Sequence, residues 1–512
     1  MLKKFHGAHL MEALQRKKLH NLLSKEFLAS RLVKIAIATV AMIILWTMPT
    51  AMFGVEGLTI VQQRVIAIFV FAILMWIFNA IPAWTTSTFV VVLLLFCTSD
   101  SSLWFFREGF DGNGLENLGK LTSYKSLMAC FADPIIMLFI GGFIIAIAAT
   151  KTGLDVMLAK VMLKPFGTQS KYVLLGFITV TAVFSMFLSN TATAAMMLTF
   201  LAPVLKALPA DGKGKIGLAL AIPVAANVGG MGTPIGTPPN AIALKYLNGA
   251  IEDGGMGLNI GFGEWMAFMI PFTLLLVFFS WVLLLKLFPF KQKTIELKIE
   301  GEAKKDWRSI VVYITFAVTV LLWVFDKYTG VNSNVVAMLP VGVFCVIGVI
   351  TRRDLEEISW GVLWMVAGGF ALGVALNQTG LATTMINAIP FGQWSPLLVI
   401  IGSGLICYAM ANFISHTATA NLLVPILAVV GGSIATALAP LGGVTALLIG
   451  VAIASSLGMV LPISTPPNAM AAATGLIEQK NMAKVGIIIG LVGLVLGYVM
   501  LYFLGSYGII GG

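Results

Sequence analysis

The sequence predicts an all-α polytopic membrane protein. It reads as about 11 transmembrane helices plus two re-entrant hairpins in two inverted repeats, with two interrupted helices. Three observations carry this reading. Of the 512 residues 59% are apolar and only 11% charged, with a mean hydropathy of +0.97. The apolar residues fall in runs of 17–25, interrupted by Gly and Pro and without the ten-residue alternation of a barrel. Two polar motifs recur in the same order in each half of the chain. A soluble chain of this length needs far more charge to cover its surface, so soluble enzymes, nucleic-acid binders and disordered proteins are excluded, and no nucleic acid is expected as a partner.

The net charge of +10 is an orientation signal. Eight of the 32 basic residues lie in the first 34 positions: Lys3, Lys4, Arg16, Lys17, Lys18, Lys25, Arg31 and Lys34. They precede the apolar run 35–53 and read as a cytoplasmic anchor in the cell membrane under the positive-inside rule. Thirty-four residues are too long for the n-region of a signal peptide, and no small-residue cleavage site follows. Cys97, Cys130, Cys345 and Cys407 have no ligand-like spacing and read as packing residues.

From a cytoplasmic N-terminus, 35–53 goes out, 61–80 returns and 83–98 goes out to the mixed-charge segment 99–128. Run 131–150 returns to a side marked by Lys151, Lys160, Lys164 and Lys171. Segment 171–208 is broken by Ser185 and Ser189-Asn190-Thr191, and basic residues flank it on both ends, so it enters and leaves on one side as a hairpin with a polar tip. Run 216–248 crosses outward and must break between Gly229 and Asn240, where glycines and the Pro238-Pro239 pair remove helix propensity and backbone donors. Runs 264–288, 309–327, 334–350 and 360–378 then alternate across the membrane, with the basic linker 289–308 inside. Segment 395–436, broken at Ser415-His416-Thr417, is a second hairpin from the opposite side. Run 443–476 comes inward, broken at Ser464–Asn468, and 485–504 exits.

The chain thus divides into a basic tail (1–34), first-repeat scaffold helices (35–128), a first-repeat transport part (129–262), further scaffold with the cytoplasmic linker (263–358), a second-repeat transport part (359–484), and a last helix with an external C-terminus (485–512). The repeats align at nearly constant offset. Gly141-Gly142 and Thr152-Gly153 match Gly368-Gly369 and Thr379-Gly380 at 227, the Ser-x-Thr-Ala-Thr motifs match at 226, and the Thr-Pro-Pro-Asn motifs at 228. Inverted repeats with paired broken helices point to a secondary transporter with its site at the repeat interface.

A half-helix ending within the membrane exposes N–H groups at one terminus and carbonyls at the other, the first suited to anions and the second to hard cations. Two Ser-x-Thr tips offer two anion cradles, one for each carboxylate of a small dianion. Neither hairpin nor broken helix carries an acidic or basic residue at its core, so no proton relay is expected. An intramembrane hydrolase is the reading from another class, suggested by Ser415 beside His416. Adjacent residues on a tip point apart, and the first motif would be left without a role. A channel is the third reading, and saturable counterflow separates it from a carrier.

At these residues the chain resembles the divalent anion–sodium symporter (INDY-like) family of di- and tricarboxylate transporters. The resemblance rests on Ser189-Asn190-Thr191-Ala192-Thr193 and Ser415-His416-Thr417-Ala418-Thr419, with Gly236-Thr237-Pro238-Pro239-Asn240 and Ser464-Thr465-Pro466-Pro467-Asn468, and it covers nearly the whole chain. It implies a homodimeric, elevator-type carrier and no enzyme. It implies substrate contacts at Ser189, Asn190, Thr191, Thr237, Pro238, Ser415, His416, Thr417, Thr465 and Pro466. No organic cofactor is implied. A sodium site would use Ser185, Ser189, Asn190 and the backbone near Gly230. The second sodium site departs from the pattern, with His416 for the family's Asn and Ala411 for a hydroxyl residue. Inward movement of a dianion against an inside-negative potential costs about 4.6 kcal/mol per 100 mV, which one-for-one exchange avoids. The expectation is therefore a sodium-independent exchanger of succinate, malate, fumarate or 2-oxoglutarate, ahead of a sodium-coupled symporter.

Overall fold

The computed structural model describes residues 25–109, 115–208, 212–250, 255–295, 302–388 and 394–510. Its regular structure is helical. Helix α1 (Lys25–Thr47) is followed by α2 (Ile60–Phe78) and α3 (Ala83–Cys97). A first run then comprises α4 (Pro134–Thr152), α5 (Leu154–Leu163), α6 (Ser170–Phe187), α7 (Asn190–Ala207), α8 (Lys213–Gly230) and α9 (Pro238–Asn248). Two long helices, α10 (Phe262–Leu287) and α11 (Trp307–Val324), lead to the short α12 (Met338–Val346). The same run then recurs as α13 (Trp360–Gln378), α14 (Leu381–Ala388), α15 (Pro396–Phe413), α16 (His416–Ser433), α17 (Gly443–Ser456) and α18 (Pro466–Ala473), and α19 (Gln479–Ser506) closes the chain.

The recurrence extends to local chemistry. Helices α4 and α13 are both 19 residues long, and α6, α7, α15 and α16 are all 18. The chain leaves α4 at Gly153 and α13 at Gly380, both with φ +73°, a left-handed conformation that ends a helix and favours glycine. The matched Gly141 and Gly368 each meet a helix from the other half. A Cβ on Gly141 would stand 2.4 Å from the Ala337 carbonyl oxygen, and one on Gly368 would stand 2.5 Å from the Ser87 Cβ.

Among the described residues ten helices are long and apolar enough to cross a membrane, or eleven if the bent pair at 435–456 counts as one. A helix of 19 residues spans about 28 Å, close to the hydrocarbon thickness. Helix α1 turns Leu32, Val33, Ile37, Val40, Ile43 and Ile44 outward, as a lipid-facing helix does. It begins at Lys25, earlier than its apolar run, and Lys34 Nζ donates to the Phe78 carbonyl at the end of α2, where a cation suits the helix dipole. The run expected to cross at 334–350 is shorter. It forms Ser333–Val336 and Met338–Val346 and ends in a turn with Gly348 at φ +69°.

Helix–helix contacts explain how the two halves build one site. Helix α8 packs against both α6 and α7, and α17 against both α15 and α16. Across the halves, α7 meets α18, and α9 meets α16. Helix α8 also meets α18, as α9 meets α17. Each tip is set against the break of its own half, and the helices that follow the tips meet the broken helices of the opposite half.

Candidate functional site

The two tips have one construction. Ser189 is the N-cap of α7, its hydroxyl accepting from Ala192 N at 3.3 Å, and Ser415 caps α16 in the same way from Ala418 N at 3.2 Å. A serine cap satisfies one of the free N–H groups of a helix start and leaves others to a ligand. Burial separates the two tips. Thr191 is exposed, whereas His416 and Thr417 are buried. Thr193 and Thr419, one turn on, are both fully buried with hydroxyls that have no partner. They lie within the quoted motifs, yet no role was expected of them.

Each break is clasped by the asparagine of its Thr-Pro-Pro-Asn motif. Asn240 Nδ2 donates to the carbonyls of Gly230, Met231 and Thr233 at 3.1, 3.2 and 2.8 Å. Asn468 Nδ2 donates to those of Met459 and Leu461 at 2.8 and 3.1 Å and to Ser464 Oγ at 3.4 Å. These side chains replace helix hydrogen bonds lost where the chain unwinds, which a membrane-buried backbone requires. The two breaks differ in length. The second begins at Leu457, earlier than the expected 464–468, because α17 stops at Ser456. Thr237 and Thr465 occupy the N-cap positions of α9 and α18, with Pro238 and Pro466 first in each helix, a position that lacks an intrahelical N–H bond in any case.

The predicted first sodium residues come together. Ser185 Oγ lies 2.7 Å from Asn190 Oδ1 and donates to the Ala226 carbonyl at 2.7 Å. A Cβ on Gly230 would stand 2.5 Å from Asn190 Oδ1, so only glycine fits beside it. Among protein groups alone, the Asn190 amide is satisfied only with its NH2 toward this cluster. With Oδ1 inward, oxygens of Ser185, Asn190, Ala226 and Gly236 would face one another with a single hydroxyl proton among them. With the NH2 inward, the amide donates to Gly236 O at 3.0 Å, Ala226 O at 3.2 Å and Ser185 Oγ at 2.7 Å, and the cluster closes on itself. Ser189 belongs to the cap rather than to this cluster.

The matching place in the second half is filled differently. His416 Nε2 lies 2.9 Å from the Gly458 carbonyl, and because a carbonyl only accepts, Nε2 carries the proton. Ala411 takes the position of Ser185, its Cβ packed where a Cβ on Gly458 would fall, at 2.5 Å. The ring of His416 is thus turned to backbone, and Ser415 is engaged as a cap. The two form no nucleophile–base pair, which removes the structural basis for a hydrolase.

Two features lay outside the sequence reading. Asn227 on α8, fully buried, donates from Nδ2 to Thr465 Oγ1 at 3.3 Å and Asn468 Oδ1 at 3.2 Å, joining the halves. Lys245, two turns beyond the first break, pairs with Asp133 at 2.5 Å, with Nζ 3.5 Å from the Phe370 ring centroid. The broken helix thus does carry a charge, neutralised by its partner. This pair lines a cavity of about 1030 Å³ bordered by Ser126, Pro234 and Asn334, which none of the expected site residues lines. A lysine in an 11-residue half-helix carried no pairing signal in the sequence, because Asp133 is more than a hundred residues away.

The description of one protein family, the sodium:sulfate symporter transmembrane region, fits residues 29–510. The chain is 28% identical over 497 residues to a protein of Staphylococcus saprophyticus named sodium-dependent dicarboxylate transporter SdcS, covering 90% of this chain and 89% of the relative. It is 29% identical over 475 residues to the SdcS of Staphylococcus aureus, covering 86% and 85%. In fold it is similar to the YdaH transporter of Alcanivorax borkumensis, whose crystal structure was described as an unusual topology, with a TM-score of 0.58 at 13% identity over 84% of this chain and 100% of that one. With a match over nearly its whole length, this multi-pass membrane protein belongs to the sodium:sulfate symporter family, a family of transporters and not of enzymes.

Proposed function

We propose that the chain is a secondary transporter of small dicarboxylates that couples substrate movement to sodium. The observation that carries this reading is the oxygen cluster of Ser185, Asn190, Ala226 and Gly236 beside a helix N-terminus whose mate recurs in the second half. The naming of the SdcS relatives as sodium-dependent dicarboxylate transporters supports both substrate and ion. In this reading the N-termini of α7 and α16 each receive one carboxylate through free N–H groups and the Thr191 and Thr417 hydroxyls. Thr237, Pro238, Thr465 and Pro466 shape the walls, and Asn190 and His416 border both substrate and ion. Sodium in the first cluster turns the Asn190 oxygen inward and its NH2 away from the protein carbonyls. The helix pairs α6–α7 and α15–α16 act as re-entrant hairpins of a moving part that slides against a fixed scaffold in a homodimer, with the N-terminus in the cytoplasm.

One observation favours a second reading, sodium-independent exchange of dicarboxylates. His416 supplies a proton donor to the Gly458 carbonyl, and Ala411 contributes no oxygen, so the second half satisfies itself without an ion. The relatives favour the sodium-coupled reading over this one. Uptake of labelled succinate into empty proteoliposomes, driven by an inward sodium gradient, tests the choice. Concentrative uptake supports sodium coupling. Uptake only into dicarboxylate-loaded vesicles, indifferent to sodium, would overturn it in favour of exchange.

A further inference from the structure

Thr465 stands at the start of α18 with its Oγ1 in an unusual position for a hydroxyl. It accepts from Asn468 N at 3.3 Å, as an N-cap does, and from Asn227 Nδ2 at 3.3 Å. A hydroxyl has two acceptor sites and one proton. Both acceptor sites are taken by N–H donors, and among the described residues the hydroxyl donates to no protein acceptor, so its proton is left to a ligand.

The orientation of Asn227 is fixed by its neighbours. Asn468 spends its NH2 on Met459 O, Leu461 O and Ser464 Oγ, so the atom it presents to Asn227 is an oxygen that accepts. Only the NH2 of Asn227 satisfies that oxygen, and its second proton is then aimed at Thr465. The matching arrangement is missing in the first half. Thr237 has no side-chain cap bond, Asn240 Oδ1 has no donor, and Ser455, the position matching Asn227, turns to Cys407 and the Val451 carbonyl.

We propose that Asn227 is a positioning residue from the first half that fixes the Thr465 hydroxyl of the second as an outward hydrogen-bond donor for a substrate carboxylate. This rests on the reading of Thr465 as a substrate contact. Removing the Asn227 amide frees an acceptor site on Thr465 and lets its proton turn away from the ligand. The loss falls on substrate affinity rather than on the rate of the loaded carrier.

The experiment is a double-mutant cycle on succinate uptake in proteoliposomes, with Asn227→Ala, Thr465→Val and the pair. Detergent-solubilised folding is checked for each by size exclusion and thermal midpoint. The expected result is a rise in the half-saturating succinate concentration of about 5- to 10-fold for Asn227→Ala, with maximal rate within about twofold, matching a single hydrogen bond. Thr465→Val should raise it at least as much, and Asn227→Ala should add nothing in the Thr465→Val background. Asn227→Asp, which is the same shape and offers an acceptor in place of a donor, should be worse than Asn227→Ala. A large effect of Thr465→Val with none of Asn227→Ala, or additive effects of the two, would overturn the role of Asn227. No effect of Thr465→Val would instead overturn Thr465 as a substrate contact. If Asn227→Ala fails to fold, Asn227→Leu, which nearly keeps the volume and has no hydrogen-bonding group, replaces it in the same cycle.

Discussion

Replacing Ser185 by alanine addresses the ion while leaving every residue of the two tips in place. The Ser185 hydroxyl is fully buried and is one of four oxygens that converge with Asn190 inward. Its removal leaves three. A buried polar group that loses its partner costs about 1–3 kcal/mol. The ion-free state also loses something, since Ser185 Oγ donates to Ala226 O at 2.7 Å and accepts from the amide at 2.7 Å when Asn190 is turned. About 1 kcal/mol of loss common to both states cancels from the ion affinity. The difference, about 0–2 kcal/mol and centred on about 1, raises the sodium concentration for half-maximal uptake about 5-fold at its centre and about 30-fold at its upper end. Sodium titration of succinate uptake at saturating succinate reads this directly, with the thermal midpoint in detergent showing that the protein is folded. A folded Ser185→Ala variant with sodium half-saturation within twofold of the unaltered protein would refute the cluster as an ion site.

Three further perturbations follow from the same geometry. Replacing His416 by Asn together with Ala411 by Ser restores oxygen ligands to the second half and should steepen the sodium dependence of uptake, read as a higher Hill coefficient. An unchanged coefficient would show that the imidazole is only packing. Gly141→Val would drive a side chain into the Ala337 carbonyl and should cost about 1–3 kcal/mol and most of the transport rate, measured as a lowered thermal midpoint and succinate flux. Burial works against the charge of Asp354, but Lys151 at 2.6 Å and the Thr351 N–H and hydroxyl outweigh it and hold the carboxyl below the usual range. Because the folded-state value is the lowered one, its contribution is present at neutral pH and is lost as pH falls through the carboxylate range. Asp354→Asn should therefore cost about 1 kcal/mol at pH 7 given the exposure of Lys151, read as a lowered thermal midpoint, and the gap to the unaltered protein should narrow as pH falls below the ordinary carboxylate value and through the lowered one.

What the sequence made legible was what repeats. The Ser-x-Thr tips, the Thr-Pro-Pro-Asn breaks and the Gly153 and Gly380 helix ends all announced themselves by offset, because each states a local backbone need that only a few residue types meet. The pairing of Ser185 with Asn190 was also within reach, being five positions apart across one tip. Asn227 was not, since its partners lie 238 and 241 residues away and its repeat mate is a serine turned elsewhere. The Lys245–Asp133 pair escaped for the same reason. Hydropathy makes the run 334–350 a full span because it measures apolarity alone, whereas the helix is interrupted at Ala337 and ends at Val346, just before the left-handed Gly348.

The unequal clusters behind the two tips have a consequence for how such a carrier changes over time. In a site shared by two identical subunits every substitution strikes both halves at once. Here the halves are written in separate stretches of one chain, so each drifts alone. Ser189 and Ser415 retain the same capping bond, while the pair Ser185 and Asn190 has diverged from Ala411 and His416. Under the proposed function, the number of charges carried per cycle is then a property adjustable by two residues in one half, with the grip on the substrate's carboxylates left as it was.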